Sequence, residues 1–379
     1  MEEKIEAAKR HFETLLRQQL QRQERLAAGA EPKDYRKAEH IVIGLVDGDG
    51  IGPIIMREAR RAAEKLLEEE IASGRVELRN VTGLTIENRL ALGEAVPADT
   101  LAQIKACDVL LKGPTTTPKG GSLESANVTL RRELDLYANV RPVCVPQEGI
   151  DWIFFRENTE GEYALGSRGI EFEDALSMDF KVTTDAGTRR IARAAFDYAR
   201  ANGKTTVAIV TKANIMKKTD GMFSRIAHEV AAEYPEIEAE DWYIDIMTAN
   251  LVNPALRSRF QVFLLPNLYG DIITDEAAQI QGGVGTAGSA NIGGQYAMFE
   301  AIHGSAPRKI ENGEGDYANP ASILKALELL LRHIALPEKA DRLAEALHRC
   351  TEVERRVVVT GHRDGATCSA FGDYLLETL

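Results

Sequence analysis

The first forty residues carry a different hydrophobic period from the rest of the chain. Ile5, Ala8, Phe12, Leu15, Leu16 and Leu20 recur at helical spacing, with Lys, Arg, Gln and Glu between them. That pattern predicts an amphipathic helix, ended by Ala-Gly-Ala-Glu-Pro at residues 28 to 32. The helix is expected to dock on the body of the protein or on a second subunit. Mixed charges on its polar face make a membrane-surface helix the lesser alternative. From His40 onward, apolar runs alternate with amphipathic segments. Strands are predicted at Ile41 to Val46, Val109 to Leu111, Trp152 to Phe155, Thr206 to Val210 and Gln261 to Leu265. Helices are predicted at about Pro53 to Ile71, Thr188 to Ala201 and Pro320 to His333. Pro53 and Pro320 suit a first helical turn, where a missing N–H costs nothing, and Gly203 suits a C-terminal cap. The alternation of strand and helix predicts an α/β fold.

Composition narrows the classes of function. At 379 residues the chain is long enough for two domains. No apolar run is long enough to span a bilayer. Met1 is followed by charged residues rather than an apolar stretch, so a cytoplasmic location is expected. The net charge of −12 argues against a nucleic-acid partner. It also means that an anionic substrate needs a local Arg/Lys cluster working against the overall field. Cys107, Cys144, Cys350 and Cys368 show no metal or redox spacing and are expected to be buried, reduced thiols.

One glycine motif is misleading. Asp47-Gly48-Asp49-Gly50-Ile51-Gly52-Pro53 follows a strand and opens a helix, as a dinucleotide loop does. Its glycine spacing is wrong for that role, Pro53 removes a helix N–H, and Asp47 and Asp49 would repel pyrophosphate. A tight structural turn is the better reading.

Chemistry concentrates in four other segments. The first runs from Lys112 through a turn rich in Gly, Pro and hydroxyls, past Ser125 and Asn127, to Arg131 and then Arg141. Arg156 follows the Trp152 to Phe155 strand, seven residues before Tyr163 in Phe-Arg-Glu-Asn-Thr-Glu-Gly-Glu-Tyr. Three arginines near strand or helix ends suit bidentate binding of carboxylates, although any one alone is equally a surface arginine. In the second segment, Pro266-Asn-Leu-Tyr-Gly-Asp271-Ile-Ile-Thr-Asp275, two aspartates share one helical face. A Mg²⁺ or Mn²⁺ between them would relieve their repulsion, and helix capping is the competing role for Asp271. The third, Thr211-Lys212-Ala213-Asn214, puts a lysine at the C-terminal end of a buried strand, where α/β active sites form; a surface lysine is the alternative. The fourth, Phe299-Glu300-Ala-Ile-His303-Gly304-Ser-Ala-Pro-Arg308-Lys309, precedes Asn319-Pro320, and its small residues and His suit close approach to a nucleotide.

Together these motifs resemble the β-decarboxylating dehydrogenases: isocitrate, isopropylmalate and homoisocitrate dehydrogenases. The resemblance runs from about Ile41 to the C-terminus and leaves residues 1 to 38 outside it. It implies a large domain from both chain ends (39–136 and 282–379), a smaller middle domain (137–160 and 185–281) and a clasp near 161–184 that joins two subunits. It implies that Arg131, Arg141 and Arg156 hold substrate carboxylates. Asp271 and Asp275 would bind the metal, joined by Asp245 from a partner subunit, which would also supply Lys212 and Asn214. Thr117 and Lys112 match positions beside substrate and nicotinamide, and Glu300, His303, Gly304, Arg308, Lys309 and Asn319 line the expected nucleotide segment. Lys212 would assist loss of the C2 hydroxyl proton, and Tyr163 would return a proton to carbon. A homodimer with shared sites would be the smallest working unit.

Substrate choice within the family is read after the threonines. Ser125-Ala-Asn127-Val-Thr-Leu-Arg131 resembles the isocitrate pattern, and the leucines expected for isopropylmalate are absent. Isocitrate is favoured, with homoisocitrate or a tartrate/malate-type substrate next and a regulatory subunit last. Ser125 also resembles a regulatory phosphorylation position. NAD-using relatives carry an Asp where this chain has Arg308, and Arg308-Lys309 favour NADP. The acidic loop Ile310 to Ala318 departs from both patterns, and Gly361-His362-Arg363 either adds a cation or decorates a turn.

Overall fold

A computed structural model describes residues 2–27, 33–118, 123–166, 168–172, 175–283 and 287–379. Residues 28–32, expected to end the first helix, and 119–122 of the glycine-rich turn lie outside the described residues. In chain order the strands are β1 (Ile41–Val46), β2 (Val76–Asn80), β3 (Val109–Lys112), β4 (Ala138–Val145), β5 (Ile150–Glu157), β6 (Ile170–Phe172), β7 (Leu176–Met178), β8 (Thr206–Thr211), β9 (Glu238–Tyr243), β10 (Val262–Leu265), β11 (Gly288–Ile292) and β12 (Ala297–Ala301). The fold is mixed α/β with predominantly parallel strand pairing, and the chain divides into two units.

The unit built from Pro32–Leu136 and Ala278–Leu379 carries the strand order β2-β1-β3-β12-β11. The first four are parallel, and β11 runs antiparallel to β12. All six residues of β1 and all four of β3 are buried. Such wholly buried strands suit a parallel sheet covered on both faces. The motif Asp47 to Pro53 is the structural turn its sequence suggests. Gly48 and Gly50 have φ of +74° and +58°, and a Cβ on either would stand 2.2 Å from Pro114 O or 2.1 Å from Ser305 O. Asp49 faces away from any ligand role: its carboxylate accepts the N–H groups of Ile86 and Thr116, each at 2.7 Å.

The other unit combines Met1–Glu31 with Tyr137–Ala277. Here β4 pairs antiparallel with β5, and β5, β10, β8 and β9 follow in parallel. Trp152, Phe154 and Phe263 form an aromatic core, with the two Phe rings stacked at 4.3 Å between centroids. The helix Asp185–Ala201 is capped by Thr184, whose hydroxyl accepts the Gly187 N–H, and it buries Ile191, Ala195 and Phe196. The N-terminal helix, Glu2–Ala27, lies on this unit. Leu15 is buried there, whereas Ile5, Phe12, Leu16 and Leu20 remain exposed. The β6–β7 hairpin likewise exposes Leu176 and Met178.

Two expectations need correction. The helix predicted from Pro53 to Ile71 is two helices, Gly52–Leu66 and Glu68–Ala72. The second opens with Glu68, Glu69 and Glu70, which favour a helix N-terminus through its dipole. Cys144 is exposed, because it alternates outward on β4; Cys107, Cys350 and Cys368 are buried, and all four thiols are free. No described helix is long and apolar enough to cross a membrane.

Candidate active site

The middle unit holds the acidic pair. Asp271 and Asp275 lie on the helix Asn267–Gln281, directly after buried β10. Asp271 is the fifth residue of that helix, so it is no cap. Two carboxylates one turn apart need neutralising charge, and arginines from the adjacent β4–β5 ladder provide it here. Arg141 donates to Asp275 at 3.0 Å and to Thr274 Oγ1 at 2.6 Å. Arg156, fully buried on β5, pairs with Asp271. Its Nε and Nη2 also donate to Asn267 Oδ1, at 3.0 and 2.7 Å. Gly270 is required for this approach, since a Cβ there would stand 2.5 Å from the Arg156 side chain. Tyr163 donates its hydroxyl to Asp271 Oδ2 at 2.9 Å, with the Arg156 guanidinium 5.4 Å from its ring centre. Arg141, Arg156, Tyr163, Asp271 and Asp275 are thus brought together.

Lys212 and Asp245 form a separate pair in the same unit. Lys212 follows β8 and Asp245 opens the helix Ile244–Leu251, with 2.6 Å between their charged groups. The hydrogen bond from Lys212 holds the Asp245 carboxyl below its ordinary range. Asn214 is exposed close by in sequence. Around this pair, Ile215, Met216, Tyr243 and Ile246 all present apolar surface to solvent. Within one chain Asp245 pairs with Lys212, and no group of three or more His, Cys, Asp or Glu placed to hold a metal occurs among the described residues.

In the unit of the chain ends, Glu300 on β12 is the hub. Its carboxylate lies 3.1 Å from Lys112 Nζ and 3.3 Å from Arg131 Nη2, and it accepts from Asn291 Nδ2 at 2.9 Å. Burial raises the Glu300 pKa, but the charges of Lys112 and Arg131 outweigh it and bring the value down to about 2. Burial drags Lys112 the other way, below the ordinary lysine range, which offsets part of the pair's gain. Arg131, on the helix Ala126–Glu133, keeps its buried Nε without a hydrogen-bond partner among the described residues. Ser125 stands just before that helix without capping it, and Asn127 accepts from Thr115 Oγ1 at 3.1 Å. Thr117 is exposed.

The segment after β12 keeps a strained turn: Ala306 has φ +45° immediately before the helix Pro307–Glu311. Burial lowers the pKa of His303, whose Nδ1 lies 3.0 Å from Gly304 O. Gly304 and Arg308 are exposed. Lys309 reaches the Gly361 carbonyl, and Arg363 donates to Asn312 O at 2.9 Å. The turn Gly361-His362-Arg363 therefore sits beside Lys309, with Arg363 held on Asn312 O. Asn319 Oδ1 accepts the Ala321 N–H at 2.9 Å and so starts the helix Ala321–His333.

Residues 42–375 match the family model described as isocitrate/isopropylmalate dehydrogenase. The chain belongs to this family. It is 38% identical over 339 residues to a probable NAD isocitrate dehydrogenase subunit alpha, mitochondrial, of Caenorhabditis elegans, covering 87% of this chain and 89% of that protein. It is 41% identical over 319 residues to a chloroplastic 3-isopropylmalate dehydrogenase of Solanum tuberosum, covering 80% and 83%. A crystal structure of isocitrate dehydrogenase from Methylococcus capsulatus superposes with a TM-score of 0.79 at 35% identity, over 89% of this chain and 99% of that one. Every site residue above lies inside the matched segment, and the N-terminal helix lies outside it. The chain is therefore an oxidoreductase, a dehydrogenase of this family.

Sequence reasoning overlooked three residues that orient the charged groups. Asn267 and Thr274 fix Arg156 and Arg141, and Asn291 gives Glu300 a neutral donor. A signal existed for two of them: Asn267 opens the helix that carries the acidic pair, and Thr274 is a hydroxyl between two apolar turns of it.

Proposed function

We propose that this enzyme oxidises and decarboxylates isocitrate to 2-oxoglutarate and CO₂, reducing NADP in preference to NAD. The observation that carries the reading is the alternation of Arg141 and Arg156 with Asp271 and Asp275, a site built for a polycarboxylate together with a cation. Overall identity does not separate isocitrate from isopropylmalate, since relatives of both kinds match at similar levels. The segment Ser125 to Arg131 supports isocitrate: a hydroxyl, an amide and a guanidinium whose Nε has no hydrogen-bond partner among the described residues suit a third carboxylate better than an isopropyl group.

Hard oxygen donors on one helix face fit Mg²⁺ or Mn²⁺, with Asp271 and Asp275 as two ligands from one chain. Such an ion would supply Lewis-acid polarisation at the substrate, and the nicotinamide would take up the hydride. With a dication on the aspartates, Arg141 and Arg156 would be able to answer substrate carboxylates while Thr274 and Asn267 keep them in place. Lys212 serves as the base that helps remove the C2 hydroxyl proton, and Asp245 as a third acidic ligand. These two pair on a face with exposed Ile215, Met216, Tyr243 and Ile246, which favours their working against a second copy of the chain in a homodimer. Tyr163 gives its proton to the carbon left by CO₂. The NADP preference rests on Lys309, Arg308 and Arg363, whose charges suit a 2′-phosphate.

Ser125→Leu is expected to raise the isocitrate KM about tenfold or more, as loss of a polar contact and added bulk at the third carboxylate require. An unchanged KM removes this segment from substrate recognition and with it the case against isopropylmalate. Tyr163→Phe is expected to lower kcat by roughly 10² or more while KM stays within a few-fold, the signature of a lost proton donor. Steady-state kinetics at saturating metal read both. Full turnover by the Phe variant would move the proton donor elsewhere.

A further inference from the structure

The N-terminal helix, which lies outside the family match, sends a charged side chain as well as Leu15 into the unit that carries the acidic pair. Arg22 reaches a nearly buried loop, Asn158 to Gly161, and donates to Glu160 Oε1 and to Thr159 Oγ1, each at 3.1 Å. That loop concentrates negative charge. Glu157 and Glu160 are 2% and 3% exposed and three residues apart. Burial first, and the Glu160 charge second, push the Glu157 carboxyl up to about 7. Arg190 supplies one cation from the helix Asp185–Ala201, donating to Thr159 Oγ1 at 3.0 Å. Thr159 Oγ1 donates to Glu157 at 2.6 Å and accepts from both arginines, so its hydrogen-bonding capacity is filled. Arg22 meets Glu160 Oε1 directly.

Glu160 also faces the active site through its backbone. Its carboxylate is fixed by Arg22, by Thr184 N at 2.9 Å and by Thr184 Oγ1 at 2.5 Å. Its carbonyl accepts Asn267 Nδ2 at 3.1 Å, and Asn267 Oδ1 in turn holds Arg156 Nε and Nη2. Asn267 and Arg156 are almost wholly buried, so a shift of the loop has no solvent gap in which to dissipate.

We propose that Arg22 is a positioning residue for the reaction: through Glu160 and Asn267 it sets the orientation of Arg156, so the appended helix tunes how tightly the substrate is held. This rests on the reading of Arg156 as a substrate arginine. Losing Arg22 removes a cation from a buried acidic loop, and the loop relaxes toward solvent.

The test compares the full-length wild type with Arg22→Ala, Arg22→Gln, Arg22→Lys and, as control, Arg17→Ala, whose side chain is exposed on the same helix and pairs with Glu13. Two readouts are taken: isocitrate and nucleotide kinetics, and amide hydrogen exchange of peptides spanning 156–161 and 267–275. The expected result for Arg22→Ala and Arg22→Gln is an isocitrate KM raised about tenfold with kcat and nucleotide KM nearly unchanged, and faster exchange in both peptides. Arg22→Lys restores most of both, and Arg17→Ala changes neither. Exchange in 267–275 that matches the wild type overturns the proposal, whatever happens to melting temperature, because Arg22 is then only an anchor for its helix. Faster exchange with an unchanged isocitrate KM overturns the claim that Arg156 is affected. Should the wild type not turn over isocitrate at all, the functional reading falls, while hydrogen exchange still decides whether Arg22 orders the Asn267 segment.

Discussion

Asp275→Asn is expected to remove metal-dependent turnover, lowering kcat/KM by roughly 10³ or more, because a cation that polarises the reacting oxygen contributes several kcal/mol to the transition state. The reason lies in the pairing on the helix Asn267–Gln281. Asp275 is well exposed at its side chain and is met by Arg141 Nη1 at 3.0 Å, so the substitution leaves the core untouched. What it removes is one of two negative charges one turn apart. With one charge gone, the site no longer attracts a dication strongly, and Arg141 keeps Thr274 but loses its ion pair with Asp275. The melting temperature in the absence of metal should therefore hardly move, whereas the metal-induced rise in melting temperature should shrink. Titration of Mn²⁺ against both proteins, followed by activity and by thermal shift, makes the comparison. Full activity with unchanged metal dependence would remove Asp275 from the ligand set.

Lys112→Met is expected to be the most destabilising single change in the unit of the chain ends. Lys112 is fully buried against Glu300, with Nζ also donating to Gly113 O at 2.8 Å. Breaking one partner out of a buried ion pair costs about 3–5 kcal/mol, which for a unit of this size lowers Tm by roughly 10 °C. Adding Glu300→Gln should recover part of that loss, since the stranded carboxylate is then gone. The pH dependence follows from the direction of the Glu300 shift. Its folded value, about 2, lies below the unfolded carboxylate value, so the stability it confers is complete above about 4.5 and is lost as pH falls toward 2. Glu300→Gln should flatten that acid limb of the unfolding curve. Circular dichroism melts between pH 2 and 7 would show it, and an additive double variant would mean that the two side chains do not act as a pair.

The sequence disclosed the strands with a strong apolar core and hid several of the others. β1, β8 and β10 are built mainly on Val, Ile, Leu and Phe, and their predicted and observed bounds agree within a residue. β4 escaped notice because Pro142 stands in its middle, tolerable where the strand pairs with β5 opposite Ile153. β9, Glu-Ala-Glu-Asp-Trp-Tyr, is polar and half exposed, as befits the last strand of its order, and it carries no apolar run to find. At the site, the charged residue types were legible because arginine, aspartate and lysine at strand ends and helix starts have few structural uses in such company. Their pairing was not. Arg156 and Asn267 are 111 residues apart, and Arg131 and Glu300 are 169 apart, so only the folded chain reveals which charge answers which. The same holds for Arg22 and Glu160, 138 residues apart. The periodicity of the N-terminal helix foretold its apolar face and gave no hint that a polar residue beside that face would enter a buried acidic loop.

The most direct test of isocitrate oxidation is absorbance at 340 nm, with the purified full-length protein, Mn²⁺ and isocitrate, run in parallel with NADP and NAD. The account predicts a rise that is faster with NADP, absent when isopropylmalate replaces isocitrate, and abolished by EDTA. No rise with isocitrate and either nucleotide, or a rise with isopropylmalate instead, would contradict it.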